Sequence, residues 1–211
     1  MILSESPKIQ AFNMDCMEFM KDKPDNYYDL AIVDPPYGRN ALDGSKTALK
    51  YGIDRSKNWD CHRPTPTYFK EILRASINII IFGGNYFISD LDDTKCMIVI
   101  DKSNIPDSFR TMSPVEIAWT SFDKPSSIFR VNTNTGQKIH PTQKPVALYR
   151  WLLTNYAKPN DKILDTHGGS FSSAIACHME GFDLDICELD GDYFNDAVKR
   201  FKLNTIQEKL F

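Results

Sequence analysis

The 211-residue sequence has little of what would mark a special class. Its five cysteines, Cys16, Cys61, Cys96, Cys177 and Cys187, are odd in number and form no Cys-x-x-Cys pair. This argues against a disulfide framework or a zinc knuckle and reads them as buried or incidental thiols in a reducing cytoplasm. No apolar run approaches the roughly 18 residues of a membrane helix. The start, Met1-Ile2-Leu3-Ser4-Glu5, has neither the basic segment nor the apolar core of a signal peptide. Twelve prolines and ten glycines are too few for a fibrous or low-complexity chain, and there is no internal repeat. A net charge of −3 excludes a protein that grips duplex nucleic acid by bulk positive charge, so any such contact must use a local patch.

What is present describes a globular chain. Apolar residues make up 42% and charged residues 25%, close to the average, and the length fits one domain over 1–211. Charge is segregated. Residues 39–74 carry eight Lys/Arg against four Asp/Glu, and residues 183–198 carry six acids and no base. The first stretch is the candidate basic patch, with a solvated loop and helix face as the alternative.

The continuous apolar run at 30–33 and the segment 78–82 read as strands buried on both faces. Further strands are expected at 8–13, 96–100, 115–121, 162–165 and 182–187, and helices at 16–22, 67–77, 145–156, 171–180 and 191–203. The helix at 67–77 would turn Phe69, Ile72, Leu73 and Ile77 inward. Residues 125–144 read as irregular, and residues 38–65 lose all period. A loop that long is usually functional or mobile. Strands alternating with helices predict an α/β fold, a doubly wound, mostly parallel sheet with helices on both faces. Ligands of such sheets collect at the strand carboxyl ends. Asp34, Asp165 and Glu188 sit at such ends, and Asp15 closely follows another.

Three segments carry chemistry. In Asp34-Pro35-Pro36-Tyr37 the prolines lack N–H groups and fix φ, so the carbonyls there face outward as acceptors. Asp34 adds a carboxylate and Tyr37 a flat ring, which suits a planar ligand bearing –NH2, such as adenine or cytosine. Hydrogen bonds from that amine to Asp34 and the Pro35 carbonyl would draw its lone pair out of conjugation and make it nucleophilic. An ordinary strand-to-loop exit is the alternative for this tetrapeptide alone. In Asp165-Thr166-His167-Gly168-Gly169-Ser170, glycines allow close backbone approach, and the helix start behind them favours an anionic group. The turn lacks the signatures of a phosphate loop or a dinucleotide fingerprint. Glu188 stands at the next strand end, where an acid grips ribose hydroxyls in doubly wound folds. His140-Pro141-Thr142-Gln143-Lys144-Pro145 brings polar side chains and a cation to a helix start, or is a plain proline-rich linker.

Together, and in this order, the segments resemble the amino-methyltransferases of DNA that use S-adenosylmethionine, in the circularly permuted beta group with a class I methyltransferase-like fold. Asn58-Trp59-Asp60, Tyr68-Phe69, Gly83-Gly84-Asn85-Tyr86-Phe87 and Ala118-Trp119-Thr120-Ser121-Phe122-Asp123 extend the likeness to small phage- and prophage-type adenine methylases, over residues 9–202. The resemblance implies methylation of the N6 amino group of adenine in DNA after base flipping. Asp34, Pro35, Pro36 and Tyr37 would hold the base. Asp165, His167, Gly168, Gly169 and Ser170 would line one wall of the cofactor site and His140, Thr142 and Lys144 the other, with Lys144 beside the cofactor's carboxylate. Glu188 would take the ribose, and Asp15 with the Cys16 backbone the cofactor's adenine. Arg39, Lys46, Lys50, Arg55, Lys57 and Arg63 of the 38–65 loop would face DNA, with Trp59 available to stack. A homodimer in the cytoplasm is implied, of restriction–modification or phage type, with no metal and no membrane.

The usual turn of the family is Asp-Pro-Phe-x-Gly-Ser-Gly-Thr. Here Thr166, His167 and Phe171 replace its proline, phenylalanine and last glycine. Phe171 adds bulk where backbone often approaches the cofactor, and His167 reads as a packing or cofactor-contact residue rather than an acid–base group. Cytosine N4 or RNA amino methylation, and a non-catalytic cofactor- or DNA-binding module, stay open.

Overall fold

A computed structural model describes residues 1–39, 60–102, 113–130, 138–140 and 142–206. The chain runs β1 (Ile2–Glu5), β2 (Lys8–Phe12), α1 (Cys16–Lys21), β3 (Tyr28–Val33), α2 (Pro66–Ala75), β4 (Ser76–Phe82), β5 (Met97–Asp101), β6 (Val115–Thr120), β7 (Ser127–Arg130), α3 (Val146–Tyr156), β8 (Ile163–Asp165), α4 (Ser172–Glu180), β9 (Leu184–Cys187) and α5 (Gly191–Ile206). The described strands form one nine-stranded sheet in the order β1-β2-β9-β8-β3-β4-β6-β5-β7.

Five neighbouring strands, from β2 to β4 in that order, are parallel. β6 runs antiparallel to both β4 and β5, and β1 antiparallel to β2, so the edges are mixed. The doubly wound reading holds. Leu30, Ala31, Ile32 and Val33 are all buried, and they alternate between two cores. Leu30 and Ile32 join Leu148, Leu152 and Ile175 of α3 and α4. Ala31 and Val33 join Phe19 of α1 and Phe69 and Ile72 of α2. This double burial explains the uninterrupted apolar run.

The sequence reading departs from the structure in three places. α2 stops at Ala75 and β4 begins at Ser76, without a break. Ile77 therefore lies in a strand and is 54% exposed, and Leu73 is also exposed, so the helix's inner face is Tyr68, Phe69, Ile72 and Ala75 instead. The region read as irregular contains β7, which pairs parallel with β5. β1 was not anticipated either. Both are short, half-exposed edge strands, for which neighbouring strands supply what the local sequence does not.

From β8 the chain passes through α4 to β9 on one side, and from β3 through α2 to β4 on the other. The winding reverses at the seam between β3 and β8, which pair through Leu30–Ile163 and Ala31–Leu164. A crevice opens beyond the strand ends at such a reversal. Asp34 leaves one side of the seam, and the 165–170 turn leaves the other. Among the described residues, no helix is long and apolar enough to cross a membrane, and no cluster of His, Cys, Asp and Glu has the form of a metal site.

Candidate active site

Asp34 follows Val33 directly, so its position is set by a buried strand. The turn after it is held from outside. Asp60, itself buried, accepts from the Tyr37 backbone N–H at 2.7 Å and from the Gly38 N–H at 3.1 Å through one oxygen. The Tyr37 ring stacks on Tyr86 with centroids 5.0 Å apart and lies against Gly83. A Cβ at Gly83 would stand 2.3 Å from the ring, and its φ of +67° is left-handed. Only glycine lets the ring lie there.

Around Asp34 the structure builds a buried charge cluster. Lys144 Nζ donates to Asp34 Oδ2 at 2.7 Å and lies 2.8 Å from Glu116 Oε1. The second Glu116 oxygen accepts from Lys102 Nζ at 2.8 Å. The Tyr37 hydroxyl is 2.7 Å from Asp34 Oδ1 and 2.8 Å from Glu116 Oε1. The Phe82 ring faces the Lys144 ammonium at 4.5 Å. Burial pushes the Asp34 carboxyl above its ordinary range; Lys144 opposes this and Glu116 adds to it. Burial also works against the charges of Lys144 and Glu116. Its two carboxylate neighbours nevertheless hold Lys144 firmly protonated, and Lys144 and Lys102 hold Glu116 well below the usual carboxylate range.

Glu116 was absent from the sequence reading. The available signal was its strand period: Glu116 alternates with Ala118 and Thr120, both buried, so an acid occupies an inward-facing position. Lys144 also has a different place from the one expected. Its ammonium lies between Asp34 and Glu116, on the side of the 34–37 tetrapeptide, and its carbonyl accepts from Ser172 Oγ at 2.8 Å.

Across the seam, Asp165 organises the glycine turn. Its carboxylate accepts from the His167 N–H at 3.0 Å and from Ser173 Oγ at 2.5 Å, and burial raises its pKa to about 7. Glu188 accepts from the Gly169 N–H at 2.7 Å and the Asp190 N–H at 2.8 Å, tying β9 to the same turn. Gly169 has φ +52°, and a Cβ there would stand 3.8 Å from the His140 ring. Two of the predicted walls therefore face each other. Thr142 Oγ1 lies 3.2 Å from His140 Nδ1, which fixes that ring, and Arg200 donates to the Ser170 carbonyl at 2.6 Å.

Phe171 corrects the expectation attached to it. Its side chain is fully buried beneath Gly168, where a Cβ would stand 2.7 Å from the ring, and it meets Phe194 edge-on. The bulk goes into the core, not toward the opposite wall. His167 Nδ1 lies 2.8 Å from Thr166 Oγ1, which is 2.7 Å from the Tyr68 hydroxyl. Burial pushes its pKa down to about 4, so the ring is neutral near pH 7. Asp15 caps α1, accepting from the Met17 N–H at 2.7 Å, and burial pushes the Cys16 thiol up to about 12, with Asp15 adding to it. Arg39 lies over the Tyr86 ring and donates to its hydroxyl at 3.2 Å. Arg63 is paired with Asp90. Lys46, Lys50, Arg55, Lys57 and Trp59, and with them most of the 38–65 loop, lie outside the described residues.

The family model for DNA methylases with N6 or N4 amino targets matches residues 92–199, half of the chain. The chain belongs to this family. This methylase is 24% identical to the type II methyltransferase M2.MboI of Moraxella bovis over 82% of its own length and 80% of the relative's. Its fold is similar to that of M1.HpyAVI in complex with S-adenosylmethionine, with a TM-score of 0.61, 21% identity and coverage of 91% and 98% of the two chains. It is also similar to the PvuII DNA methyltransferase described as cytosine-N4-specific, with a TM-score of 0.61, 12% identity and coverage of 94% and 92%. The class I methyltransferase-like fold is thereby shown, and S-adenosylmethionine is the methyl donor of the family.

The methylase's own residues fit that cofactor. The side-chain-free surface of Gly169 faces His140, and Glu188 presents an acceptor carboxylate at a strand end, the chemistry a ribose diol needs.

Proposed function

We propose that this DNA methylase acts on the N6 amino group of adenine after the base has left the duplex. The observation that carries this reading is the place of Asp34. Its carboxylate stands at the sheet seam and accepts from the Tyr37 hydroxyl at 2.7 Å, and the neighbouring strand end bears the glycine turn. The tetrapeptide that Asp34 heads is part of the resemblance to small adenine methylases drawn from the sequence.

Asp34 and the Pro35 carbonyl accept the two amine hydrogens, which orients the nitrogen lone pair, while Pro36 stiffens the turn and Tyr37 supplies the flat surface for the base. Extruding a base costs a few kcal/mol, and Arg39, already stacked on Tyr86, sits on the exposed side of this aromatic pair. Gly169, Ser170, His140 and Thr142 would hold the methionine part of the cofactor, Glu188 the ribose, and Asp15 with the Cys16 backbone the adenine. When bound, S-adenosylmethionine supplies an electrophilic methyl group. The protein's share is positioning and electrostatics. His167, buried and neutral, packs the turn and transfers no proton.

The test uses purified protein, labelled cofactor and unmodified DNA, with nucleoside analysis of the product. N6-methyladenine is expected, and its loss in Asp34→Ala. N4-methylcytosine as the product would replace the adenine reading, and labelling of RNA alone would replace DNA as the substrate. Equal labelling by Asp34→Ala and the parent would remove Asp34 from the site.

A further inference from the structure

Lys144 has three N–H groups, and two carboxylates take the ammonium at nearly equal distance, 2.7 Å to Asp34 and 2.8 Å to Glu116. The Tyr37 hydroxyl repeats the arrangement: its single proton lies between Asp34 Oδ1 at 2.7 Å and Glu116 Oε1 at 2.8 Å. One proton serves one acceptor at a time. Lys144 can give each carboxylate its own N–H, so there the two acids divide its positive charge, whereas the single Tyr37 proton goes to one of them at a time. Glu116 is kept ionised from its other side by Lys102 at 2.8 Å, so the four charged groups balance two against two.

The geometry points to Glu116 as a positioning residue that divides Lys144 and the Tyr37 hydroxyl with Asp34, and so leaves the Asp34 carboxylate a strong acceptor for the target amine. With Glu116 uncharged, the Lys144 charge would face Asp34 alone and the Tyr37 hydroxyl would turn to it. A carboxylate fully matched by an ammonium and a hydroxyl is a weak acceptor for a third group, and its pKa drops. Burial and the Glu116 charge both raise the Asp34 carboxyl in the native cluster, in keeping with this division. The other groups around Asp34 are Asp165 at the end of β8, Tyr68 of α2 and Tyr149 of α3; each stays the same in the variants below. The inference rests on Asp34 being the group that holds the amine.

Two variants separate this role from simple packing, because they move the same quantity in opposite directions. Glu116→Gln removes the competing charge, so the acidic limb of the pH profile of kcat shifts down by about one unit, and kcat at its plateau falls. Lys102→Met takes a positive charge from the cluster and leaves Glu116 to draw on Lys144 alone, so the limb shifts up. Cofactor affinity, read by calorimetry, stays at the parent value in both. Carbon-13 titration of the Asp34 carboxyl gives the same shifts without turnover and carries the test through Lys102→Met should Glu116→Gln fail to fold. If Asp34→Asn is inactive while both limbs stay put or move together, the role assigned to Glu116 is wrong and the catalytic reading of Asp34 survives. An active Asp34→Asn overturns both.

Discussion

Phe171→Gly would put back the residue that the related turn usually carries, and the structure expects it to weaken the protein. The ring is fully buried and meets Phe194 with centroids 5.7 Å apart. Deleting a buried phenyl group costs about 3–5 kcal/mol. Working against that, Phe171 sits at φ +57°, a left-handed conformation that penalises a side chain by roughly 1–2 kcal/mol and that glycine adopts freely. Packing wins, leaving a net loss of about 2–3 kcal/mol, which is a drop in Tm of roughly 4–12 °C for a chain of this size. Gly168 supplies an internal check. A Cβ there would lie 2.7 Å from the Phe171 ring and 2.9 Å from Ile186 Cγ1, so Gly168→Ala costs about 1–3 kcal/mol by overpacking. With the ring gone, the first of those clashes disappears. Gly168→Ala should then be cheaper, giving a coupling of about 0.5–3 kcal/mol in a double-mutant cycle. Urea and thermal denaturation measure all four proteins, and calorimetry should find cofactor binding little changed in Phe171→Gly. A glycine variant as stable as the parent, or one that binds the cofactor far more tightly, would mean that the ring fills the cleft and not the core.

Gly83→Ala drives a Cβ to 2.3 Å from the Tyr37 ring at a left-handed φ, so the ring must leave and its hydroxyl loses Asp34 and Glu116; kcat should collapse while calorimetry still finds cofactor binding, and a fully active variant would contradict the placement of Tyr37. His167→Phe should keep the parental pH profile between about pH 5 and 8, because burial already holds this ring neutral there with a pKa of about 4; a lost inflection in that range would show a titrating histidine. Asp165 has its folded-state pKa raised to about 7 by burial, so the folded protein holds a proton that the unfolded chain gives up near pH 4, and stability falls as pH rises from about 4 to 7. Asp165→Asn removes that dependence, with its amide able to donate to Ser173 Oγ. Its urea midpoint relative to the parent should climb across that range, and a gap independent of pH would count against the raised pKa.

The parts of the fold legible in the sequence were those that bury both faces. β3 and the body of β4 announce themselves because each of their side chains from 30–33 and 79–82 enters a core, whatever lies beside them. β7 could not be read in the same way. Ser127-Ile128-Phe129-Arg130 is half exposed, and it is a strand because β5 offers an edge to pair with. The site divides along the same line. The tetrapeptide at 34–37 and the turn at 165–170 each carry a local chemical signature, so their meeting at the seam follows once the strands are placed. Lys144 reaching Asp34, and Glu116 standing behind both, depend on β6 running antiparallel beside β4, which neither segment records. Phe171 was misjudged for a related reason. A motif comparison shows that a side chain is large, whereas its inward direction is set by the left-handed backbone at that residue.

The strand order also sets the order in which the site can assemble. β2 and β3 come early in the chain but do not touch; β8 and β9, the last of the described strands, slot between them, with Leu30 pairing with Ile163 and Ile9 with Leu184. Contacts so remote along the chain are slow to form, and until they do, two interior strands show bare edges of the kind that recruit neighbouring chains. A nascent or truncated polypeptide lacking this last insertion has its tetrapeptide but no seam to hold it. The two halves of the candidate site can therefore meet only after β8 and β9 have been inserted between β2 and β3.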